Sequence, residues 1–323
     1  MNRSGLAVTP RPRPRRRAAV APGAVCATLM LAACSTPSPT TPGTLGATAG
    51  GRPITVVATI NAWGSIAAQL GGIRVRETSI ITNPATDPHA YEPTPTDARV
   101  VAGAGVVIEN GIGYDSWAAK MLAANPVPGR TVLDVGELVG IADGGNPHRW
   151  YSPTDVRAVV DQITTDYAKT DPADEGYFQQ RKSAFLTTGL ATYNDLIAQI
   201  RAKYTGVKVG ASESIFSPLA QALGLDLVTP ASFLTAISQG TDVSAADKAT
   251  IDKQISSKQI KVYVFNSQNS TPDVAAQVTA AKSQAIPVAA VTETLSPANA
   301  TFQQWQSAQL QQLATALRQA TGR

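Results

Sequence analysis

The chain has 323 residues, 27 of them basic and 23 acidic, which gives a formal net charge of +4. Six of the basic residues are arginines that precede Cys34, so the rest of the chain has 21 basic residues (27 minus 6) against 23 acidic ones, a net charge of −2. The predicted folded part is therefore mildly acidic, which excludes the strongly basic surface expected of a nucleic-acid-binding protein. Its length suffices for two domains of ordinary size.

Residues 1–34 have the features of a lipoprotein signal peptide. Residues 15–17 are three arginines, and the apolar stretch 18–33 that follows contains a proline and a glycine. This stretch is too short and too broken to span a bilayer comfortably. It ends in Leu31-Ala32-Ala33-Cys34, which resembles the bacterial lipobox, whose cysteine becomes lipid-modified. We therefore expect an extracytoplasmic protein, anchored through Cys34 to the outer face of the cytoplasmic membrane.

Two alternatives remain open for this segment. An ordinary signal peptide could contain a cysteine at this position by chance. The paired arginines are compatible with the twin-arginine export route as well as with the general secretory route, because arginine-rich starts are common to both.

Residues 35–52 are rich in Ser, Thr, Pro and Gly, which predicts a flexible tether between membrane and folded chain. The two cysteines of the sequence, Cys26 and Cys34, both precede this tether. Because Cys26 leaves with the signal peptide and Cys34 would carry the lipid, the mature body has no thiol and no disulfide. A metal site in the mature protein would therefore consist of nitrogen and oxygen ligands.

From Ile54 onward, short runs rich in β-branched residues alternate with helix-like stretches such as Trp63 to Leu70. Such runs are typical of buried strands in a parallel sheet. We predict an α/β fold of two (β/α)4-type lobes with parallel sheets, over residues 53–171 and 205–323, with a C-terminal amphipathic helix at 302–319. The predicted strands are Ile54–Thr59, Val75–Ile81, Val106–Asn110, Thr131–Val135, Val207–Ala211, Asp226–Val228, Ile260–Phe265 and Pro287–Val291.

One long, rigid helix is predicted between the lobes, over residues 172–204. Asp171 and Pro172 form a good helix start, with Asp at the N-cap and Pro at the first helical position. Gly189 is a local objection, because glycine inside a helix costs about 1 kcal/mol relative to alanine. A single stiff helix predicts small hinge motion rather than wide closure. The apolar residues that recur on one face are Phe178, Phe185, Tyr193, Ile197, Ile200 and Tyr204.

The two histidines of the chain lie in similar phrases. His89 is part of Asp-Pro-His-Ala-Tyr-Glu-Pro (residues 87–93), and His148 is part of Asn-Pro-His-Arg-Trp (residues 146–150). A proline before each histidine favours an extended backbone at a loop tip. A lone loop histidine is more often a surface residue than a ligand, but two in matching frames suggest halves of one metal site.

Two carboxylates follow predicted strands of the second lobe. Glu213 comes at the end of its first strand, and Glu293 comes at the end of its last. Open α/β sheets bind ligands beyond the carboxyl ends of their strands, so these side chains should converge with His89 and His148 in the cleft between the lobes. Each carboxylate alone is as easily a solvated group or a helix N-terminal partner.

The residues around His89, His148, Glu213 and Glu293 resemble motifs of the zinc- and manganese-binding lipoprotein receptors of bacterial ABC importers, the cluster A-I or TroA-like family. The resemblance runs from Ile54 to the C-terminus. It implies metal ligands at positions where that family has His, His, His or Glu, and Asp, so His89, His148 and Glu213 match directly. Glu293 differs from the usual Asp by one methylene. Asn266 stands where relatives usually have Glu near the cleft.

Some neighbouring residues are candidates for supporting roles. Asp87 and Glu92, like Asn266, are candidates to orient a ligand, although Asp87 and Glu92 could equally cap turns. Tyr91 and Trp150 are expected to pack and hold the loops rather than to contact a cofactor.

Two neutral imidazoles and two carboxylates make a formally neutral site around a dication, which suits Mn²⁺ or Zn²⁺, with Fe²⁺ as a third candidate. The resemblance implies a monomeric solute-binding protein, not an enzyme, that delivers one such ion to an ABC permease and its ATPase. One alternative is a metal-dependent hydrolase. The sequence contains neither of two common hydrolase motifs, His-Glu-x-x-His and Gly-x-Ser-x-Gly. Another is a surface adhesin or an organic-ligand receptor on the same scaffold.

Overall fold

Two parallel four-stranded sheets form the framework of the protein. The computed structural model describes residues 51–84, 86 and 91–323. The strands are β1 (Ile54–Ile60), β2 (Val75–Ile81), β3 (Val106–Glu109), β4 (Thr131–Asp134), β5 (Lys208–Ala211), β6 (Asp226–Leu227), β7 (Val262–Asn266) and β8 (Val288–Val291). Their order is β2-β1-β3-β4 in the first sheet and β6-β5-β7-β8 in the second. The predicted signal peptide, the lipidation residue Cys34 and the tether up to residue 50 lie outside the described residues.

Strand β1 shows why continuous apolar runs of sequence form central strands of a parallel sheet. Every residue of β1 except Thr55 is buried, and Val56 pairs in register with Val106 of the neighbouring β3. Strands that are covered on both faces need a continuous apolar sequence rather than an alternating one. All eight predicted strands are confirmed, with ends that differ by at most two residues, and the predicted fold class is confirmed with them.

Helices connect the strands and cover the sheets. None of the described helices is both long and apolar enough to cross a membrane. The last of them confirms the predicted C-terminal helix, and its Thr301 cap accepts a hydrogen bond from the backbone N–H of Gln304. The helices are α1 (Asn61–Gly71), α2 (Pro95–Ala102), α3 (Ser116–Ala124), α4 (Val135–Val139), α5 (Pro153–Thr170), α6 (Glu175–Ala184), α7 (Ala191–Tyr204), α8 (Ser217–Leu223), α9 (Ala231–Ser238), α10 (Ala245–Ser256), α11 (Pro272–Ser283) and α12 (Phe302–Thr321).

The connection between the lobes is helical over residues 172–204, and it departs from regular α geometry at two places. A 3-10 turn at Pro172–Asp174 precedes α6, and a π-helical turn at Phe185–Gly189 separates α6 from α7. The backbone N–H of Leu190 donates to the carbonyl of Phe185, five residues earlier, at 2.8 Å.

The spacing of the buried residues gives the physical reason for this π turn. Phe178 and Phe185 are seven residues apart, as are Tyr193 and Ile200, and seven residues make almost two full α-helical turns. Phe185 and Tyr193 are eight apart, so a regular α-helix would turn Tyr193 away from the core. The wider π turn absorbs the extra residue and keeps both apolar faces on one side.

The largest apolar core includes residues from both sheets. Val56 of β1 and Val209 of β5 belong to the same buried cluster, together with Phe302 and Trp305 of α12. Separating the lobes would expose this shared surface to water, at a cost of about 25 cal/mol per Å². A shared core therefore restrains relative motion of the lobes, in addition to the helical connection.

Candidate metal centre

Three of the four predicted metal ligands converge at the carboxyl ends of the strands. Glu213 follows β5, Glu293 follows β8, and His148 lies in the loop after α4. One potential ligand atom of each residue lies within 4.8 Å of the other two, the one such group among the described residues. Their exposed fractions are 0% for His148, 0% for Glu213 and 2% for Glu293. The fourth predicted ligand, His89, and its neighbour Asp87 lie outside the described part of the chain.

Asn146 fixes the orientation of the His148 imidazole. Its Oδ1 atom lies 2.9 Å from Nδ1 of His148 and also accepts the backbone N–H of His148 at 3.1 Å. Because an amide oxygen only accepts, the ring proton belongs on Nδ1. The unprotonated Nε2 then lies towards the site, 3.4 Å from Oε2 of Glu293. Asn146 also donates from Nδ2 to the carbonyl of Ser214 at 2.7 Å, which links the loop to the second lobe.

Aromatic rings enclose the imidazole. Trp150, fully buried, contacts His148 edge to face, with ring centroids 5.4 Å apart, and contacts Tyr114 at the same distance. Trp150 therefore packs against the ligand loop, as predicted. Tyr114, which follows β3, also donates its hydroxyl to Oε2 of Glu293 at 3.2 Å, so one residue of the first lobe contacts both a histidine and a carboxylate of the cluster.

Amide side chains hold the two carboxylates. Asn266, the last residue of β7, donates from Nδ2 to Oε1 of Glu213 at 2.9 Å and to Oε1 of Glu293 at 2.8 Å. Asn269 donates to the other oxygen of Glu213 at 2.8 Å. Asn266 thus contacts both predicted carboxylate ligands, and its role in orienting them stays a prediction.

Gln268 connects the second lobe to Pro84, which follows β2 in the first lobe. Its Oε1 accepts the backbone N–H groups of Glu293 and Thr294, at 2.5 and 3.0 Å. Its Nε2 donates to the carbonyl of Pro84, in the first lobe, at 2.5 Å. The backbone position of Glu293 is therefore fixed by a side chain that also contacts the first lobe.

A second network fixes the segment that precedes Glu293. The hydroxyl of Tyr151, fully buried, donates to Oε1 of Gln309 on α12 at 2.7 Å and accepts the backbone N–H of Thr292 at 3.2 Å. Trp305 of the same helix donates to the hydroxyl of Thr292 at 2.7 Å. Tyr151 and helix α12 thus both hold the end of β8 in place.

Burial lowers the pKa of His148 and raises the pKa of Glu213, because it disfavours the charged form of each group. Burial lowers the pKa of His148 to about 4, against the opposing effect of the Glu213 charge. Burial and, after it, the charge of Glu293 together raise the pKa of Glu213 to about 8. At neutral pH the empty site therefore has a neutral imidazole and a protonated Glu213. A divalent cation would supply the positive charge that ionises this carboxyl group.

Two other residues singled out in the sequence, Tyr91 and Glu92, lie shortly before α2. Glu92 is exposed, and its predicted role in orienting a histidine stays a prediction. Tyr91 packs against Trp117, with centroids 5.3 Å apart, and donates its hydroxyl to Asp97 at 2.8 Å, as expected for a packing residue.

A cavity of about 370 Å³ adjoins the cluster. It is lined in part by Tyr114, Asn146 and Ser214, which contact the cluster or its loop. The three buried members of the cluster therefore lie behind residues that face this cavity.

Sequence reasoning missed Tyr114, Asn146, Gln268 and Asn269 as supporting residues. The role of Asn146 could have been predicted, because Asn146 lies two residues before His148. At this spacing an Asn side chain often accepts the backbone N–H of the later residue. The other three contact the cluster only through the tertiary fold, and their own sequence surroundings contain no such signal.

The sequence from 56 to 316 matches a family model described as zinc-uptake complex component A, periplasmic. The chain belongs to this family. The match includes His148, Glu213, Asn266 and Glu293 and covers both lobes. It confirms the resemblance inferred from the histidine and glutamate phrases.

Relatives within and around this family have names that refer to different metals. The chain is 26% identical over 149 residues to the manganese-binding lipoprotein MntA of Halalkalibacterium halodurans, covering 44% of this chain and 48% of that protein. It is 30% identical over 139 residues to the iron-binding protein YfeA of Yersinia pestis, covering 40% of this chain and 43% of that protein. The chain thus matches about half the length of these relatives or slightly less.

A solved structure supports the fold over most of the chain. The protein is similar to a mutant manganese-bound periplasmic metal-binding protein from Candidatus Liberibacter asiaticus, with a TM-score of 0.69 and 18% identity. The similarity covers 82% of this chain and 99% of that protein.

Proposed function

We propose that this protein is an extracytoplasmic receptor that binds one divalent transition metal ion and delivers it to an ABC importer. The observation that carries the proposal is the buried cluster of His148, Glu213 and Glu293, whose ligand atoms lie within 4.8 Å of one another. His89 would supply the fourth ligand. Two imidazoles and two carboxylates neutralise a dication, which suits Mn²⁺ and Zn²⁺, with Fe²⁺ as a third candidate.

The geometry favours capture of an ion over catalysis. A hydrolytic metal needs an open coordination position that a substrate can reach. The three described members of the cluster are almost completely buried, and hydrogen bonds with Asn146 and Asn266 already orient His148 and the two glutamates. We therefore infer that the ion is cargo rather than a catalyst, and that the protein is not an enzyme.

The family and the names of the relatives support delivery to an importer. The family is that of a zinc-uptake complex component, and the MntA relative is named a lipoprotein. We infer that the partners are a permease and its ATPase, that the receptor acts as a monomer, and that a lipid on Cys34 anchors it at the outer face of the cytoplasmic membrane.

Metal titration of chelator-treated protein tests the proposal. Isothermal titration calorimetry with Mn²⁺ and with Zn²⁺ should give one site, and metal at about a thousand times its Kd should stabilise the fold by about 4 kcal/mol. His148→Ala and Glu293→Ala should each weaken binding, because each removes a ligand, whereas Glu175→Ala, an exposed glutamate on α6, should not.

Two results would contradict the receptor proposal. The first is a wild-type protein that binds neither ion and whose melting temperature neither chelator nor added metal changes. The second is tight binding that survives both ligand substitutions, since the ion would then lie elsewhere.

A further inference from the structure

The second lobe has positively charged residues at the amino ends of its central strands. Lys208 is the first residue of β5, and Lys261 directly precedes β7. The backbone N–H of Lys261 donates to the carbonyl of Lys208 at 2.8 Å, and both side chains are exposed. Because neighbouring strands are about 4.8 Å apart, two positive side chains start side by side at this edge of the sheet.

Two cavities continue this positive surface around Arg323. One, of about 470 Å³, is lined in part by Lys208, Lys261 and Arg323. The other, of about 170 Å³, is lined in part by Lys203, Arg318 and Arg323. All five side chains are exposed, and we call these five residues the basic edge.

The charges of the basic edge are not neutralised by neighbouring acids. Within residues 51–84, 86 and 91–323, none of the five cations forms an ion pair. Asp226 pairs in register with Lys208 and is an acidic side chain at the same edge, so it offsets one charge. The chain after Cys34 has 21 basic and 23 acidic residues, so the basic edge is a local concentration of positive charge on a mildly acidic protein. Such a patch attracts an anionic partner.

The composition of the surface favours a lipid membrane over a protein as this partner. Protein interfaces have an apolar core in which aromatic residues, Met and Arg are enriched and Lys is depleted. Three of the five residues of the basic edge are lysines. The large apolar side chains that are exposed in the described part of the chain are Ile73, Val127 and Val132, all in the first lobe. Clustered lysines and arginines without exposed apolar neighbours are typical of electrostatic binding to anionic lipids.

We propose that the basic edge docks on the anionic phospholipid headgroups of the membrane and so orients the protein. The inference rests on the proposed location at the outer face of the membrane, and it does not depend on metal binding. The predicted tether, residues 35–52, would permit many orientations, because a chain of this length reaches up to about 60 Å. Each basic residue at an anionic surface increases the affinity about fivefold. Binding of this strength is reversible, so it would orient a lipid-anchored protein without replacing the anchor.

Docking and metal binding would use opposite edges of the same sheet. Lys208 begins β5, whereas Glu213 lies beyond the carboxyl end of that strand. Docking through the amino edge therefore leaves the metal cluster on the far side of the sheet from the membrane. The two activities should be separable by mutation.

Vesicle co-sedimentation of residues 35–323 tests the inference without the lipid and without the arginines of the predicted signal peptide. Residues 48–323 form one compact unit, so this chain contains the whole fold. We expect it to bind vesicles of phosphatidylglycerol and phosphatidylcholine in equal parts, and not vesicles of phosphatidylcholine alone. Binding should be strong at about 0.01 M salt and lost at about 1 M, where the Debye length falls from about 30 Å to about 3 Å.

The combined substitutions Lys208→Gln, Lys261→Gln and Arg323→Gln should weaken vesicle binding about 100-fold. The matched control combines Lys120→Gln, Arg157→Gln and Lys169→Gln, which remove the same charge from exposed positions on helices of the first lobe. It should bind vesicles within about threefold of wild type, because those charges lie outside the docking surface. Both triple variants should keep the wild-type melting temperature and the wild-type Kd for Mn²⁺.

Three results would overturn the inference. The first is no preference for anionic vesicles at low salt, which would leave an acidic protein surface as the class of partner. The second is an equal loss of binding in the two triple variants, since net charge alone would then explain it. The third is binding that excess inorganic phosphate abolishes at constant ionic strength, because the cavities would then hold a free anion. A protein that binds anionic vesicles through this edge but binds neither Mn²⁺ nor Zn²⁺ would support the docking surface and contradict only the proposed cargo.

Discussion

Metal binding is predicted to release a proton from Glu213, and the pH dependence of affinity follows from this. Burial and the neighbouring Glu293 raise the pKa of Glu213 to about 8, so roughly nine in ten empty receptors hold this proton at pH 7. An incoming cation must displace it. Affinity should therefore increase about eightfold between pH 7 and pH 8.5, with about 0.9 protons released per ion at pH 7.

His148 should contribute little in this range. Burial lowers the pKa of His148 to about 4, so its imidazole is already neutral. Calorimetry of Mn²⁺ binding in buffers with different ionisation enthalpies counts the released protons. Glu213→Gln is the control, because it has no carboxyl proton to lose. An enthalpy that does not depend on the buffer, with constant affinity from pH 7 to 8.5, would refute the reasoning.

The raised pKa of Glu213 also makes the stability of the metal-free protein depend on pH. A carboxyl group whose pKa is raised on folding contributes stability only while it is protonated, and loses it as pH rises through the folded pKa. The ordinary pKa of Glu213 is 4.5, and its pKa in the folded protein is about 8. The contribution of Glu213 to the melting temperature of chelator-treated protein should therefore decrease as pH rises between these two values. Burial of neutral His148 acts at the acid end, where stability should be lost as pH falls below 6.5 towards about 4.

Three further substitutions test the supporting contacts. Tyr151→Phe removes the hydroxyl that bonds to Gln309, and should lower the free energy of unfolding by about 1–3 kcal/mol in urea denaturation; an unchanged midpoint would contradict this. Gln268→Ala frees the backbone of the predicted ligand Glu293 and should weaken Mn²⁺ binding about 10- to 100-fold, whereas substitution of the exposed Gln312 by Ala should not. Cys34→Ser should move the protein from the membrane fraction to the soluble fraction; continued membrane association would exclude anchoring through this residue.

The strands could be predicted because their signal is local. A run such as that of β1 is apolar along its whole length, and a buried parallel strand requires this composition. The topological rule that ligands bind beyond the carboxyl ends of strands then predicts that Glu213, Glu293 and His148 converge. Their ligand atoms do lie within 4.8 Å of one another.

The features that could not be predicted depend on tertiary geometry. The π turn at Phe185–Gly189 follows from an eight-residue spacing between two buried aromatics, which has meaning only when both are known to face the same core. Tyr114 reaches the cluster through the packing of one lobe against the other, and Gln268 reaches the backbone of Glu293 because β7 and β8 end side by side. Asn266 was a candidate from sequence, but its bridge between two carboxylates follows from their convergence in space.

The central claim is that His148, Glu213 and Glu293, with His89, bind one common ion. Anomalous diffraction at the manganese edge, from crystals grown with Mn²⁺, tests this most directly. The account predicts one strong peak at about 2.0–2.3 Å from Nε2 of His148 and from carboxylate oxygens of both glutamates. A peak elsewhere, or binding in solution without any peak at this cluster, would contradict it.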